Sequence, residues 1–183
     1  MPRYCYVTLA SAWLVWFSPF VLRRKRPGKA QKMDVRARWG ILLQFVAFSL
    51  LWQGRFWEQR PGFWRFALAT SFLAAGCVLS WTAVGALGRQ WRIDAGLNVD
   101  HQLIRSGPYS LVRHPIYTSM LCVFLGTGLI ITPWFLFLAA LVLFIAGTEI
   151  RVRTEDSLLA SRFGEEFTNY KRYVPAYVPW LRR

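Results

Sequence analysis

The chain has 183 residues, a length that fits one domain, and 55% of them are hydrophobic against 17% charged. Soluble globular domains carry about a quarter charged residues. That contrast, with a mean hydropathy of +0.27 and long apolar runs, excludes an ordinary soluble fold and points to a polytopic membrane protein. The formal charge of +14 would suggest nucleic acid in a soluble protein. Here the cations sit between apolar runs, where topology and anionic headgroups explain them, so no nucleic-acid partner is expected.

The first span is predicted over about Cys5 to Leu22, as a retained span rather than a cleaved leader. Between Arg23 and Arg38 lie eight basic residues against Asp34 alone, which assigns this loop to the cytoplasmic side. Span two runs from about Trp39 to Trp52, with an extension to Trp57 open because the shorter estimate is thin for a bilayer. Gln44 is its candidate for a hydrogen bond to another helix. Span three, about Phe66 to Leu87, is rich in small residues. Gly76, Ser80 and Val84 make a packing line at four-residue spacing, and Gly88 marks the helix end.

Arg89 to Val112 does not span, and the polar stretch Asp100 to Tyr117 contains both histidines of the chain, His101 and His114. Pro115 suits a first helical turn and sets Arg113 and His114 at the N-terminal mouth of span four, which runs from Tyr117 to Ile131. Span five follows from Trp134 to about Thr148 after the Thr132-Pro133 break, giving a C-terminal helical hairpin in which Gly126 and Gly128 allow close packing. From Glu149 a charged tail is expected. Glu149 and Arg153, like Arg151 and Glu155, stand four residues apart. Leu159, Phe163, Phe167, Tyr170 and Val174 form an amphipathic stripe.

The fold expectation is therefore all-α: five transmembrane helices and a cytoplasmic amphipathic tail helix, in a single integral membrane domain over residues 1–183. The N-terminus lies outside and the C-terminus in the cytoplasm, as in a bacterial inner membrane protein. The histidine loop and the charged tail then share one side. Cys5, Cys77 and Cys122 each lie in an apolar run and read as free buried thiols. No metal is expected: His101 and His114 are thirteen residues apart without a matching cysteine. The chain also carries no Gly-rich nucleotide loop and no Gly-x-Ser-x-Gly elbow.

His101-x-Leu103, Gly107-x-Tyr109 and Arg113-His114-Pro115-x-Tyr117 resemble the core motif of isoprenylcysteine carboxyl methyltransferases and their bacterial relatives, an arrangement shared by phospholipid N-methyltransferases. Arg151, Glu155-Asp156, Leu159, Phe163-Gly164, Phe167, Tyr170 and Pro175 resemble the second motif. The likeness covers residues 88–179, the expected cofactor-binding and catalytic core. It departs from the family at Asp156, where a second glutamate is usual, at Ser119 for glycine and at Phe167 for tyrosine.

The resemblance implies a membrane methyltransferase that uses S-adenosylmethionine on an amphipathic or lipid-linked acceptor, such as a prenyl-cysteine-like carboxylate or a phospholipid amine. It implies a cofactor cradle of His101, Leu103, Gly107, Tyr109, Arg113, His114, Tyr117 and Glu155, with Arg113 suited to the methionine carboxylate. Arg151 and Glu155 are the candidate catalytic pair near the acceptor. Two other readings compete: an NADPH-dependent membrane lipid or sterol reductase, which can carry a similar core, and a non-catalytic membrane assembly protein.

Overall fold

The computed structural model describes residues 1–23, 30–33, 35–90, 96–98 and 102–179. Among them are six helices: α1 (Arg3–Leu22), α2 (Ala37–Leu51), α3 (Phe63–Leu87), α4 (Pro115–Ile131), α5 (Trp134–Phe163) and α6 (Glu165–Tyr173). The protein is an integral membrane protein. Helices α1, α3 and α5 are long and apolar enough to cross a bilayer, whereas α2 and α4 are shorter apolar helices. At ~1.5 Å per residue, 15 and 17 residues fall short of a ~30 Å hydrocarbon layer. The five expected spans are thus three long apolar helices and two shorter ones.

Two helix pairs make the bundle: α3 lies along α4, and α2 lies along α5. Glycine sets both approaches. A Cβ on Gly76 would stand 2.8 Å from Val123 Cγ2 and 3.0 Å from the Ser119 carbonyl of α4. Gly40 and Gly147 face each other across α2 and α5, each with the other's carbonyl oxygen within 2.7 Å of where a Cβ would sit. Gly76, Ser80 and Val84 are all buried, as their spacing predicts. Gly128 does pack within the α4–α5 segment, against Phe137, but Gly126 packs on Leu73 and Ala69 of α3 instead.

Phe124 sits at the centre of the core. Its ring stacks on Phe144 at 4.7 Å and meets Phe48 edge-on at 5.3 Å, joining α4, α5 and α2. Helix α1 is pinned to α4 by two indoles: Trp13 donates to Thr127 (3.2 Å) and Trp16 to Ser119 (3.1 Å). Ser119, where the resembled family has glycine, is thereby a hydrogen-bond partner for α1. The three cysteines are free thiols.

Three expectations change. Span five does not end at Thr148: α5 continues to Phe163, thirty residues in all. No proline or glycine interrupts it after Gly147, and the Glu149–Arg153 pair (3.3 Å) supports the turn at which the charges begin. The break comes at Gly164, whose φ of +53° only glycine adopts readily. The amphipathic stripe therefore spans two helices rather than one tail helix, and Phe167 and Tyr170 are buried on α6. In addition, among the described residues a two-stranded antiparallel ribbon, β1 (Ala30–Met33) with β2 (Gly96–Asn98), joins the helices. The loops after α1 and α3 therefore meet, and β2 contacts α5. The expected extension of span two to Trp57 is absent: α2 stops at Leu51, followed by a 3-10 turn over Phe56–Glu58.

Candidate active site at the mouth of α4

Pro115 opens α4, as a residue without an N–H should. The backbone just before it is held by the chain's C-terminal segment. The Arg113 N–H donates to the Pro175 carbonyl and the His114 N–H to the Ala176 carbonyl, both at 2.8 Å. Thr118 Oγ1 donates to the Tyr177 carbonyl at 2.7 Å. The Tyr177 hydroxyl donates to Glu149 at 2.9 Å. Residues 174–178 thus cross the helix mouth as a strap tied to α4 and α5.

Asp156 is the hub beneath that strap. Its carboxylate accepts from Arg113 Nη2 (2.9 Å), pairs with His114 Nε2 (2.9 Å) and with Lys171 Nζ (3.2 Å). The Arg113 and Asp156 side chains are 2% and 8% exposed. Arg113 Nη1 also donates to the Val174 carbonyl. The two terminal nitrogens of Arg113 are therefore engaged by Asp156 and the tail backbone, while the buried Nε has no partner among the described residues.

His114 turns its second nitrogen, Nδ1, to Glu155 at 3.3 Å. A carboxylate at each nitrogen favours the doubly protonated ring, which donates on both sides. Burial works against that charge, but the hydrogen bonds to Asp156 and Glu155, and their charges, outweigh it and raise the pKa above the usual histidine value. The Tyr117 hydroxyl donates to the other oxygen of Glu155. The Arg151 guanidinium lies over the Tyr117 ring, 4.9 Å from its centre. Arg151 Nη1 also donates to Gln44 Oε1 of α2 at 3.1 Å. A continuous polar network thus runs from the strap to a residue inside the bundle.

The residues expected in the cradle fall in three groups. His114, Tyr117 and Glu155, with Arg113 and Arg151, come together in this network. Of Leu103, Gly107 and Tyr109, Tyr109 is tied to α6, Leu103 is half-buried and Gly107 is exposed at a turn. Gly107 has φ +61°, so its turn needs glycine. Tyr109 is buried, its carbonyl accepts the Tyr170 hydroxyl at 2.5 Å, and burial with the nearby Glu155 charge raises its own pKa. Burial pushes the Tyr170 hydroxyl up to about 12, against the lowering effect of Arg113 and Arg105. His101 lies outside the described residues.

Sequence reasoning missed Asp156 as the hub, Lys171 and the strap. Two adjacent acids at the end of an apolar helix were the available signal for Asp156. Apart from the Tyr177 hydroxyl, the strap bonds through backbone carbonyls, which leave no mark in side-chain identity. Among the described residues, no group of three or more His, Cys, Asp or Glu is arranged to hold a metal ion.

A family profile described as "Phospholipid methyltransferase" matches residues 64–166, more than half of the chain. The cobalt-zinc-cadmium resistance protein CzcN of Cupriavidus metallidurans is 33% identical over 144 residues, 78% of this chain and 62% of that protein. The protein-S-isoprenylcysteine O-methyltransferase of Schizosaccharomyces pombe is 32% identical over 116 residues, 62% of this chain and 49% of that protein. The nickel-cobalt-cadmium resistance protein NccN of Alcaligenes xylosoxydans is 26% identical over 144 residues, 78% of this chain and 63% of that protein. The chain spans from about half to just under two thirds of the length of these relatives.

Proposed function

The chain belongs to the phospholipid methyltransferase family, and from that membership we propose that it is an S-adenosylmethionine-dependent methyltransferase acting on an amphipathic or lipid-linked acceptor within the membrane. The observation that carries this reading is the network joining the mouth of α4 to α5, because it lies in the two motif regions shared with the family. The acceptor group is a prenyl-cysteine-like carboxylate or a phospholipid amine.

The residues suit such a donor. S-adenosylmethionine carries a positive amino group, and Glu155, whose side chain is 27% exposed, offers it an ionised carboxylate beside the Tyr117 hydroxyl. When bound, the cofactor supplies a methyl group already activated on a positively charged sulfur. The protein's own task is orientation and exclusion of water. Glu155, Tyr117 and His114 hold the donor side, with His101, Leu103, Gly107 and Tyr109 completing the cradle. Arg151 orients an anionic acceptor group by its charge. Arg113 holds the strap and Asp156 in place through its terminal nitrogens, which supports a role in holding the cradle together. The strap over residues 174–178 shields the site from water.

The basic segment after α1 supports a cytoplasmic site, with the N-terminus outside and the C-terminus inside. A bacterial inner membrane location rests on the same reading.

The test is equilibrium binding of S-adenosylmethionine and of NADPH to the protein reconstituted in lipid, beside methyl transfer to farnesylated N-acetylcysteine and to phosphatidylethanolamine vesicles. We expect selective S-adenosylmethionine binding, weakened about tenfold or more by Glu155→Gln with folding retained. Folded protein that binds no S-adenosylmethionine overturns the reading; NADPH binding alone would favour a reductase.

A further inference from the structure

We propose that Gln44, on a helix that precedes the matched region, is a positioning residue for Arg151 and so for the acceptor. Gln44 is 3% exposed. Both ends of its amide are engaged: Nε2 donates to Thr148 Oγ1 at 2.9 Å, and Oε1 accepts from Arg151 Nη1 at 3.1 Å. The guanidinium can only donate, so the amide oxygen must face it, and the bond from Nε2 to Thr148 holds the amide in that orientation.

A glutamine in an apolar helix often serves only to bind one helix to another. Two further observations separate Gln44 from that role. One turn earlier on α2, Gly40 leaves the space that the arginine stem fills: a Cβ there would stand 2.5 Å from Arg151 Cγ. Helix α2 thus supplies both a slot and a clamp for one side chain. Beyond Gln44, the guanidinium reaches the Tyr117 ring, and Tyr117 bonds to Glu155. The amide is therefore the inner end of the same network that reaches the helix mouth.

Depth fits the role. Exposed Trp134 begins α5, and aromatic residues of this kind favour the membrane interface. Arg151, seventeen residues further on, lies about 26 Å along the helix, near the far margin of a ~30 Å hydrocarbon layer. A neutral amide at that depth anchors the guanidinium without cancelling its charge. The arginine then faces the reactive end of an amphiphile whose tail remains in lipid.

This inference rests on the methyltransferase reading, and one set of variants tests the two separately: Gln44→Met, Arg151→Met, the double variant, and Thr132→Val. The last removes a buried bond from Thr132 to the Leu51 carbonyl, away from the site, as the control for loss of an interhelical contact. The protein is assayed in lipid vesicles with farnesylated N-acetylcysteine and with phosphatidylethanolamine. Gln44→Met is expected to lower kcat/KM for the acceptor by up to about a hundredfold, with S-adenosylmethionine affinity within about twofold of wild type. It should add little to Arg151→Met. A loss no larger than that of Thr132→Val, or an additive double variant, overturns the inference while leaving the methyltransferase reading in place. Wild-type protein that binds no S-adenosylmethionine overturns both. If wild type binds it but methylates neither probe, the same cycle is read on the unfolding midpoint, where additivity overturns the inference and non-additivity supports it.

Discussion

His114 and Asp156 meet at 2.9 Å in a place where both side chains are less than a tenth exposed. The histidine has Glu155 at its other nitrogen, so two carboxylates favour its charged form.

A pH dependence follows from that charge. The pKa of His114 is raised in the folded protein, since the two carboxylates outweigh the cost of burial. A raised folded-state pKa contributes stability that is fully present below the unfolded value of about 6.5 and is lost as pH rises through the folded value. The unfolding midpoint should therefore fall as pH rises from neutral into the alkaline range, and His114→Gln should flatten the slope. Thermal unfolding across pH in one detergent measures both; equal slopes would remove His114 as the cause.

Removing the hub should be costly. Asp156→Asn leaves Arg113 and His114 buried beside a neutral amide. Breaking one side of a buried ion pair costs about 3–5 kcal/mol. We expect low yield of folded protein and a large drop in the unfolding midpoint. A stability within about 1 kcal/mol of wild type would show that Glu155 and the tail carbonyls are enough to hold the two cations.

The α2–α5 crossing predicts a sharp contrast between glycines. Gly147→Ala places a methyl 2.7 Å from the Gly40 carbonyl and 3.0 Å from Leu43 Cβ, so backbone must shift. A loss of about 1–3 kcal/mol is expected. Gly62→Ala meets nothing within 4 Å, with φ at −63°, and should be nearly silent. Paired thermal shifts of the two variants check this directly.

The strap should report its own loosening. Tyr177→Phe removes the bond to Glu149 but retains the ring. We expect a loss of about 1 kcal/mol and faster amide exchange at Arg113 and His114, whose N–H groups bond to Pro175 and Ala176. Unchanged exchange at those two amides would mean that Thr118 and the backbone bonds hold the strap unaided.

Much of the fold was legible because long apolar runs leave few alternatives in lipid, and Gly88 and Pro115 mark helix ends by their own backbone limits. The end of α5 was not. The charges after Thr148 signal the exit from the apolar layer, but a helix leaving a membrane need not end there, and only Gly164 stops it. In the site, Arg151, Glu155, His114 and Tyr117 were legible from residue type and motif. Their partners were harder. Gln44 was readable as a helix-to-helix donor, yet which helix it would meet is set by the Gly40–Gly147 approach. Arg113 was assigned to an external carboxylate from its charge and fork. Asp156, on another helix, takes Nη2 of that fork, a pairing set by tertiary packing rather than by spacing.

The uninterrupted course of α5 has a mechanical consequence. One rigid rod carries Gly147, pressed against α2, and eight and nine residues later Glu155 and Asp156, which hold the mouth of α4. A bilayer that forces α5 to lean must swing the two acids about the glycine contact as a lever swings about its pivot. Over nine residues, about 13 Å of helix, a lean of about 5° displaces Asp156 by roughly 1 Å, a misplacement that can cost about a hundredfold in rate. Turnover should then vary with the acyl-chain length of the vesicles and pass through an optimum; a flat profile would mean that the network holds α5 against the lipid.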